Sequence, residues 1–190
     1  MTWRTTSGTQ PRHTAGEYKT KNPVPDYFGD TDAHVQKVGQ CLASMYQKDS
    51  EFANHVTVKE EDGMAYLGGF SSELPNIVNY RDISGKTIKL DNAGGYTPTA
   101  QAPLIIRVEQ GTATIGKLGF EGWSSGADAQ QSYARYIMLD LKDAAAKVTI
   151  DGLEMGALWA PQSALNFNSN VTTNGQWFAG SDVSTAGGGE

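Results

Sequence analysis

The sequence predicts a mainly β fold: an irregular β-solenoid (β-helix-like) with one long α-helix packed alongside, and a β-sandwich as the alternative. Three observations point there. The 190 residues include 22 Gly and 7 Pro but only 19% charged residues, a balance that suits a β-rich extracellular module better than a cytosolic α/β enzyme. Past Asn54 the apolar pattern breaks into short runs between turn-forming clusters, which is how short strands read. Only one stretch, residues 31–53, keeps a helical period.

Taken in order, residues 1–29 read as an extended arm. Pro11, Pro23 and Pro25 remove backbone donors and push their predecessors into extended conformations, while Tyr18, Tyr27 and Phe28 offer anchors. A single β-rich domain, residues 30–190, follows. Asp30, Thr31 and Asp32 supply capping oxygens and negative charge at a helix start. Val35, Val38, Leu42, Met45 and Phe52 then recur at three- and four-residue steps with Cys41 and Tyr46 beside them, so the helix spans about 31–53.

Strands are expected over about 56–180. Val56–Lys59, Met64–Leu67, Ile77–Tyr80 and Lys86–Leu90 lie between Gly, Pro and acidic turns. Pro103–Val108 and Tyr136–Leu141 are nearly continuous apolar runs, which implies burial on both faces. Thr112–Ile115 follows Glu109-Gln110-Gly111, a hairpin or corner signal. In the last third, Lys147–Ile150, Gly156–Trp159, Ala164–Phe167 and Gln176–Ala179 are separated by Asp-Gly, Pro-Gln and Asn-rich breaks. Such spacing fits a sandwich, a barrel or a solenoid. With no strict repeat, a solenoid here has irregular rungs.

Those same residues carry a family resemblance. Gly156-Ala157-Leu158-Trp159-Ala160-Pro161-Gln162-Ser163-Ala164-Leu165 is similar to the GxxLAPxAxV stretch of the choice-of-anchor A domain, a bacterial adhesive domain. Asn174-Gly175-Gln176-Trp177-Phe178-Ala179-Gly180 resembles that family's NGxxxA rung, and Gly187-Gly188-Gly189-Glu190 its GGE. Leu104–Val108, Ile137–Leu141 and Val148–Ile150 sit where the family has apolar strands. The resemblance covers about residues 75–190, and Leu158-Trp159 departs from the usual aliphatic pair. It implies secreted or wall-anchored bacterial surface proteins, and no catalytic residues.

Elementary chemistry narrows the alternatives. A net charge of -6 argues against general nucleic-acid binding, which needs clustered Lys and Arg. One cysteine rules out an internal disulfide and Cys-based metal sites. No apolar run approaches the ~20 residues of a membrane-spanning helix, and no signal-peptide pattern opens the chain. Met1-Thr2-Trp3-Arg4 and the final Glu190 read as the cut ends of a larger multidomain surface protein. His13, His34 and His55 lack ligand spacing, and Glu60-Glu61-Asp62-Gly63 reads as a solvated turn rather than a calcium loop.

Other chemistries are weighed against plainer readings. Glycoside cleavage needs two carboxylates about 5–10 Å apart, and Glu109, Glu121, Asp128 and Asp140 have no context that marks such a pair; Asp140, between Leu139 and Leu141, is the most distinctive and is expected to face solvent from its strand. Cys41 beside Gln36, Gln40 or Gln47 raises a thioester, but a buried free cysteine on an apolar helix is the commoner reading. Lys147 and Asn166 fall on neighbouring strand candidates, as an isopeptide would require. Thr97-Pro98-Thr99 and Thr112-Ala113-Thr114 do not repeat in register, so a flat threonine face for ordered water is not expected. Trp159 and Trp177 lie within apolar strands and are expected in the core.

The resulting expectation is a non-enzymatic adhesive module of a bacterial extracellular, cell-surface or cell-wall protein. It would bind a host or environmental protein or glycan, with no cofactor, metal, nucleic acid or membrane insertion. The alternatives are a polysaccharide-acting β-helix enzyme and a structural spacer or stalk module. The candidate ligand-binding residues are Trp123, Ser124, Ser125 and Asp128, in a Ser/Gly-rich loop where an aromatic ring is free to stack on a sugar.

Overall fold

The computed structural model describes residues 24–90, 96–116, 118–122, 133–153, 155–168 and 175–186. The chain divides into two compact units, Met1–Gln40 and Cys41–Glu190. Helix α1 (Val24–Met45) begins in the first unit, and its last residues belong to the second.

The helix starts earlier and stops earlier than residues 31–53. Val24–Gly29, expected in the extended arm, are helical, and Pro25 falls in the first turn. There the missing N–H costs no hydrogen bond and the fixed φ already suits a helix. At the other end His55 Nε2 lies 3.2 Å from the Met45 carbonyl and 3.1 Å from that of Gln47. Two acceptors require the proton on Nε2, so His55 caps the helix exit. Phe52, expected on the helical stripe, lies beyond the helix and is 55% exposed.

Fourteen strands are described: β1 (Asn54–His55), β2 (Thr57–Glu61), β3 (Met64–Gly68), β4 (Asn76–Asn79), β5 (Thr87–Leu90), β6 (Leu104–Arg107), β7 (Thr114–Ile115), β8 (Gly119–Phe120), β9 (Ile137–Asp140), β10 (Lys147–Ile150), β11 (Ala157–Ala160), β12 (Ala164–Phe167), β13 (Trp177–Ala179) and β14 (Val183–Thr185). A short helix, α2 (Tyr80–Ile83), follows β4. Sheet A holds β1-β4-β6-β9-β11-β13, sheet B β2-β3-β5-β8, and sheet C β7-β10-β12-β14. Every described pairing between these strands is parallel except β2–β3. Each sheet adds its strands in chain order, so the second unit is an irregular parallel β-coil. That order has no place for the hairpins of a sandwich.

The β2–β3 pair shows why one hairpin exists. Asp62 and Gly63 both take positive φ, 50° and 73°, the two-residue connection whose twist matches paired strands. The acidic turn Glu60-Glu61-Asp62-Gly63 is therefore a hairpin tip, with Lys59 on Glu61 and Lys86 on Glu60 at 2.8 and 2.7 Å. By contrast, Glu109-Gln110-Gly111 is a corner from sheet A to sheet C. The Thr112 N–H donates to Glu109 O at 3.2 Å, and the corners at Leu141–Ala144 and Ala160–Ser163 close with the same i to i+3 bond.

Successive corners stack on one another. Gly111 N–H donates to Asp143 O, Ala145 N–H to Thr112 O, and Gly180 N–H to Ala160 O. The buried Ser163 hydroxyl donates to Ala145 O at 2.7 Å. At Gly180 the rungs approach so closely that a Cβ would collide with the Pro161 carbonyl. Another polar plug sits between β1 and β4. Buried Asn76 accepts from Asn54 Nδ2 and Ser71 N–H, both at 2.9 Å, and donates to Ser71 O.

Alternation along each strand fills the coil. Leu104, Ile106, Ile137, Leu139, Leu158 and Ala160 point in from sheet A, facing Ile115, Val148, Ile150, Leu165 and Phe167 of sheet C. Leu67, Ile88 and Phe120 enter from sheet B. Each such side chain contributes about 1.5–3 kcal/mol by leaving water. Leu42, Ala53, Ile77 and Ile105 are buried but lie outside this inner cluster.

Leu139→Ala is expected to lower stability by about 2–5 kcal/mol, since it opens a cavity in the middle of the coil. Gly180→Ala should cost about 1–3 kcal/mol through overpacking at the corner. Urea denaturation of each variant measures both, and a loss under 0.5 kcal/mol for Gly180→Ala would contradict the stacked-corner geometry.

Candidate functional site

Two outer surfaces of the coil carry chemistry. On sheet C the register pairs Thr114 with Thr149, Thr149 with Asn166, and Asn166 with Ser184. Their inward neighbours Ile115, Ile150 and Phe167 are buried. Alternation therefore turns the four polar side chains outward in one file, spaced by about 4.8 Å from strand to strand. Ser184 Oγ donates to Asn166 Oδ1 at 3.0 Å. A second file, Lys147 beside Ala164, runs parallel to it.

On sheet A the outward row is Asn79, Arg107, Asp140, Trp159 and Phe178, each in register with the next. Asp140 is 3% exposed and not solvent-facing, as a strand carboxylate of this kind is expected to be. Tyr46 covers it, donating its hydroxyl to Asp140 Oδ2 at 2.6 Å, while Lys142 N–H donates to Oδ1 at 3.0 Å. The Arg107 guanidinium lies 4.6 Å from the Tyr46 ring centroid, a cation–π contact. Burial raises the Asp140 carboxyl above its ordinary range by more than the hydrogen bonds from Tyr46 and Lys142 lower it. Burial and the Asp140 charge likewise raise the Tyr46 phenol.

The remaining aromatics depart from expectation. Trp159 faces outward, half-buried, and stacks on Phe178 with centroids 4.5 Å apart. Trp177 continues the inward file above Leu158, yet it is 48% exposed and leans on Phe167 at 4.5 Å. Neither indole belongs to the inner cluster: Trp159 points out from sheet A, and Trp177 is about half exposed. By contrast, Tyr96 is buried, stacks on Phe70 at 4.0 Å and donates to Ala102 O. Burial pushes its phenol up to about 12.

Trp123, Ser124, Ser125 and Asp128 lie outside the described residues. In the sequence they fall between β8 and β9. The carboxylates weighed for glycoside cleavage have other engagements: Glu121 pairs with Lys89 at 2.9 Å, Glu109 accepts from Arg81 N–H at 3.2 Å, and Asp140 sits under Tyr46. Cys41, expected buried, is exposed, one residue off the Leu42 face of a regular helix. Lys147 is exposed and pairs with Ala164 rather than Asn166, which leaves no buried Lys–Asn pair there. No group of three or more His, Cys, Asp or Glu able to hold a metal occurs among the described residues.

Thr112-Ala113-Thr114 does not recur as a pair on the next strands: Thr114 stands beside Thr149, and the file then continues as Asn166 and Ser184, at sequence separations of 35, 17 and 18 residues with no fixed period. A polar outward file on an irregular parallel coil is the setting in which the comparison with known families falls. A family model described as an ice-binding-like adhesive domain matches residues 3–190. The chain belongs to that adhesive domain family. No curated protein and no solved structure is significantly similar to it. Membership in the adhesive family accords with a surface or extracellular setting and a non-enzymatic role. No helix among the described residues is long and apolar enough to cross a membrane.

Thr149→Val and Ser184→Ala in the adhesive domain should each leave stability within about 0.5 kcal/mol, because surface side chains away from caps and cores rarely matter more. Chemical denaturation checks this. A loss above 1 kcal/mol would mean the file supports the coil rather than facing a ligand.

Proposed function

We propose that the adhesive domain is a non-enzymatic binding module of a bacterial surface or cell-wall protein, and that sheet C presents its ligand-binding face to a host or environmental glycan or protein. The observation that carries this reading is the in-register outward file Thr114, Thr149, Asn166 and Ser184. Hydroxyl and amide groups fixed on parallel strands are already ordered, so a ligand pays little conformational entropy to engage them. Trp123, Ser124, Ser125 and Asp128 are proposed as a second, aromatic contribution to the same adhesive role. The finer assignment to the choice-of-anchor A type rests on Gly156–Leu165 and Asn174–Gly180. Most of those residues form β11, its corner, β12 and β13.

Binding of the purified domain to arrays of matrix proteins and glycans tests the proposal. Saturable binding that falls at least tenfold in Thr149→Lys and Asn166→Lys supports the sheet C face. Loss in Trp123→Ala alone would move the site to the 123–128 loop. No binding on either array would leave the module a spacer.

A second reading, recognition of ordered water, is favoured by the paired Thr114 and Thr149 hydroxyls together with the family's description. It predicts thermal hysteresis in a freezing assay that Thr149→Lys abolishes. Hysteresis unchanged in that variant would remove sheet C from the reading.

A further inference from the structure

Outside the sheet C face, a part-buried polar contact joins residues 94 positions apart: the bond from the Tyr46 hydroxyl to Asp140. Tyr46 belongs to the segment that leaves α1 and enters sheet A at β1. Within that segment Leu42 and Ala53 are buried, and His55 holds the carbonyls of Met45 and Gln47. Asp140 ends β9, in the middle of sheet A, and looks outward into the segment. We propose that Tyr46 and Asp140 form a pH-responsive latch that holds residues 41–53 on the outer face of sheet A, closed in acid and loosened as the carboxyl ionises.

The argument begins with what surrounds the carboxyl. Its two hydrogen bonds come from a neutral hydroxyl and a backbone N–H. Burial makes the ionised carboxyl costly, so the covered state favours the protonated form. Among the described residues, four charged or titratable groups face it. Tyr46 covers it from the helix exit, and Arg107 is its neighbour on β6, stacked on the Tyr46 ring. Lys142 and Asp143 follow it in the corner after β9. β11 presents Trp159 at the paired position, which carries no charge. Lys142 favours ionisation and Asp143 opposes it, while burial outweighs both.

The sign follows. Opening the latch hydrates Asp140 and returns it to its ordinary range, below its value in the closed state. The closed state therefore binds the proton more tightly. Its advantage is full below the open-state value and is lost as pH rises through the closed-state value. His55 acts on the same segment, and replacing Asp140 separates the two groups: a response due to His55 survives that substitution.

Hydrogen exchange of the whole chain, corrected for intrinsic rates, reads the latch. Amides of residues 42–53 should exchange at least about threefold faster at pH 7.5 than at pH 3.5, relative to β10 and β12. Asp140→Asn, nearly isosteric and neutral, should remove that difference. Tyr46→Phe should raise exchange at both pH values. Equal protection at both pH values in the native chain, or an unchanged difference in Asp140→Asn, overturns the latch. A carbon-13 titration of the native Asp140 carboxyl is the second measurement. A midpoint within or below the ordinary carboxylate range would overturn it regardless of how the variants fold.

Discussion

Parallel in-register stacking is the constraint on which the rest of this molecule depends. A parallel strand can bond its neighbour only where side chains alternate in step, so each rung inherits its inside and outside from the rung before it. Leu139 under Leu158, and Val148 under Leu165, are consequences of one register rather than separate packing decisions. The same register that buries Ile115, Ile150 and Phe167 must turn Thr114, Thr149 and Asn166 outward. Core and binding face are thus two readings of a single alignment.

Corners and ends are where this order meets its cost, because chain reversals expose backbone groups that the ladder no longer serves. The molecule meets it locally. Corners from sheet A to sheet C close on themselves and then bond to the corner below, with Ser163 adding a side-chain donor. Between β1 and β4, Asn76 makes all its bonds inside the protein. A methyl group is too much for the contact at Gly180, so chain geometry there selects glycine.

Much of the coil was legible in the sequence. Met64–Leu67, Lys86–Leu90, Lys147–Ile150 and Ala164–Phe167 announce themselves by alternation and by the breaks that flank them. Gly119–Phe120 and Val183–Thr185 do not, since pairs and triplets of residues are too short to show a period. The helix start was misplaced because Pro25 breaks a helix interior but suits its first turn. The sheet C file was invisible for another reason: its members are set by spatial stacking, and their sequence separations vary. Asp140 looked distinctive from its apolar neighbours, yet its burial depends on Tyr46, which no local pattern connects to it. The motif that resembled choice-of-anchor A pointed to an adhesive domain, and the family match reaches that coarser level.

The unequal separations along the coil have an evolutionary side. From β6 to β9 the chain takes 33 residues to advance one rung, whereas from β9 to β11 it takes 19. The ladder is indifferent to this difference, because β6, β9 and β11 pair in register whatever the length of chain between them. Connections between rungs are therefore graft points, where a segment can be lengthened, shortened or replaced while the scaffold stays unchanged. A module built this way can diversify what it touches one connection at a time.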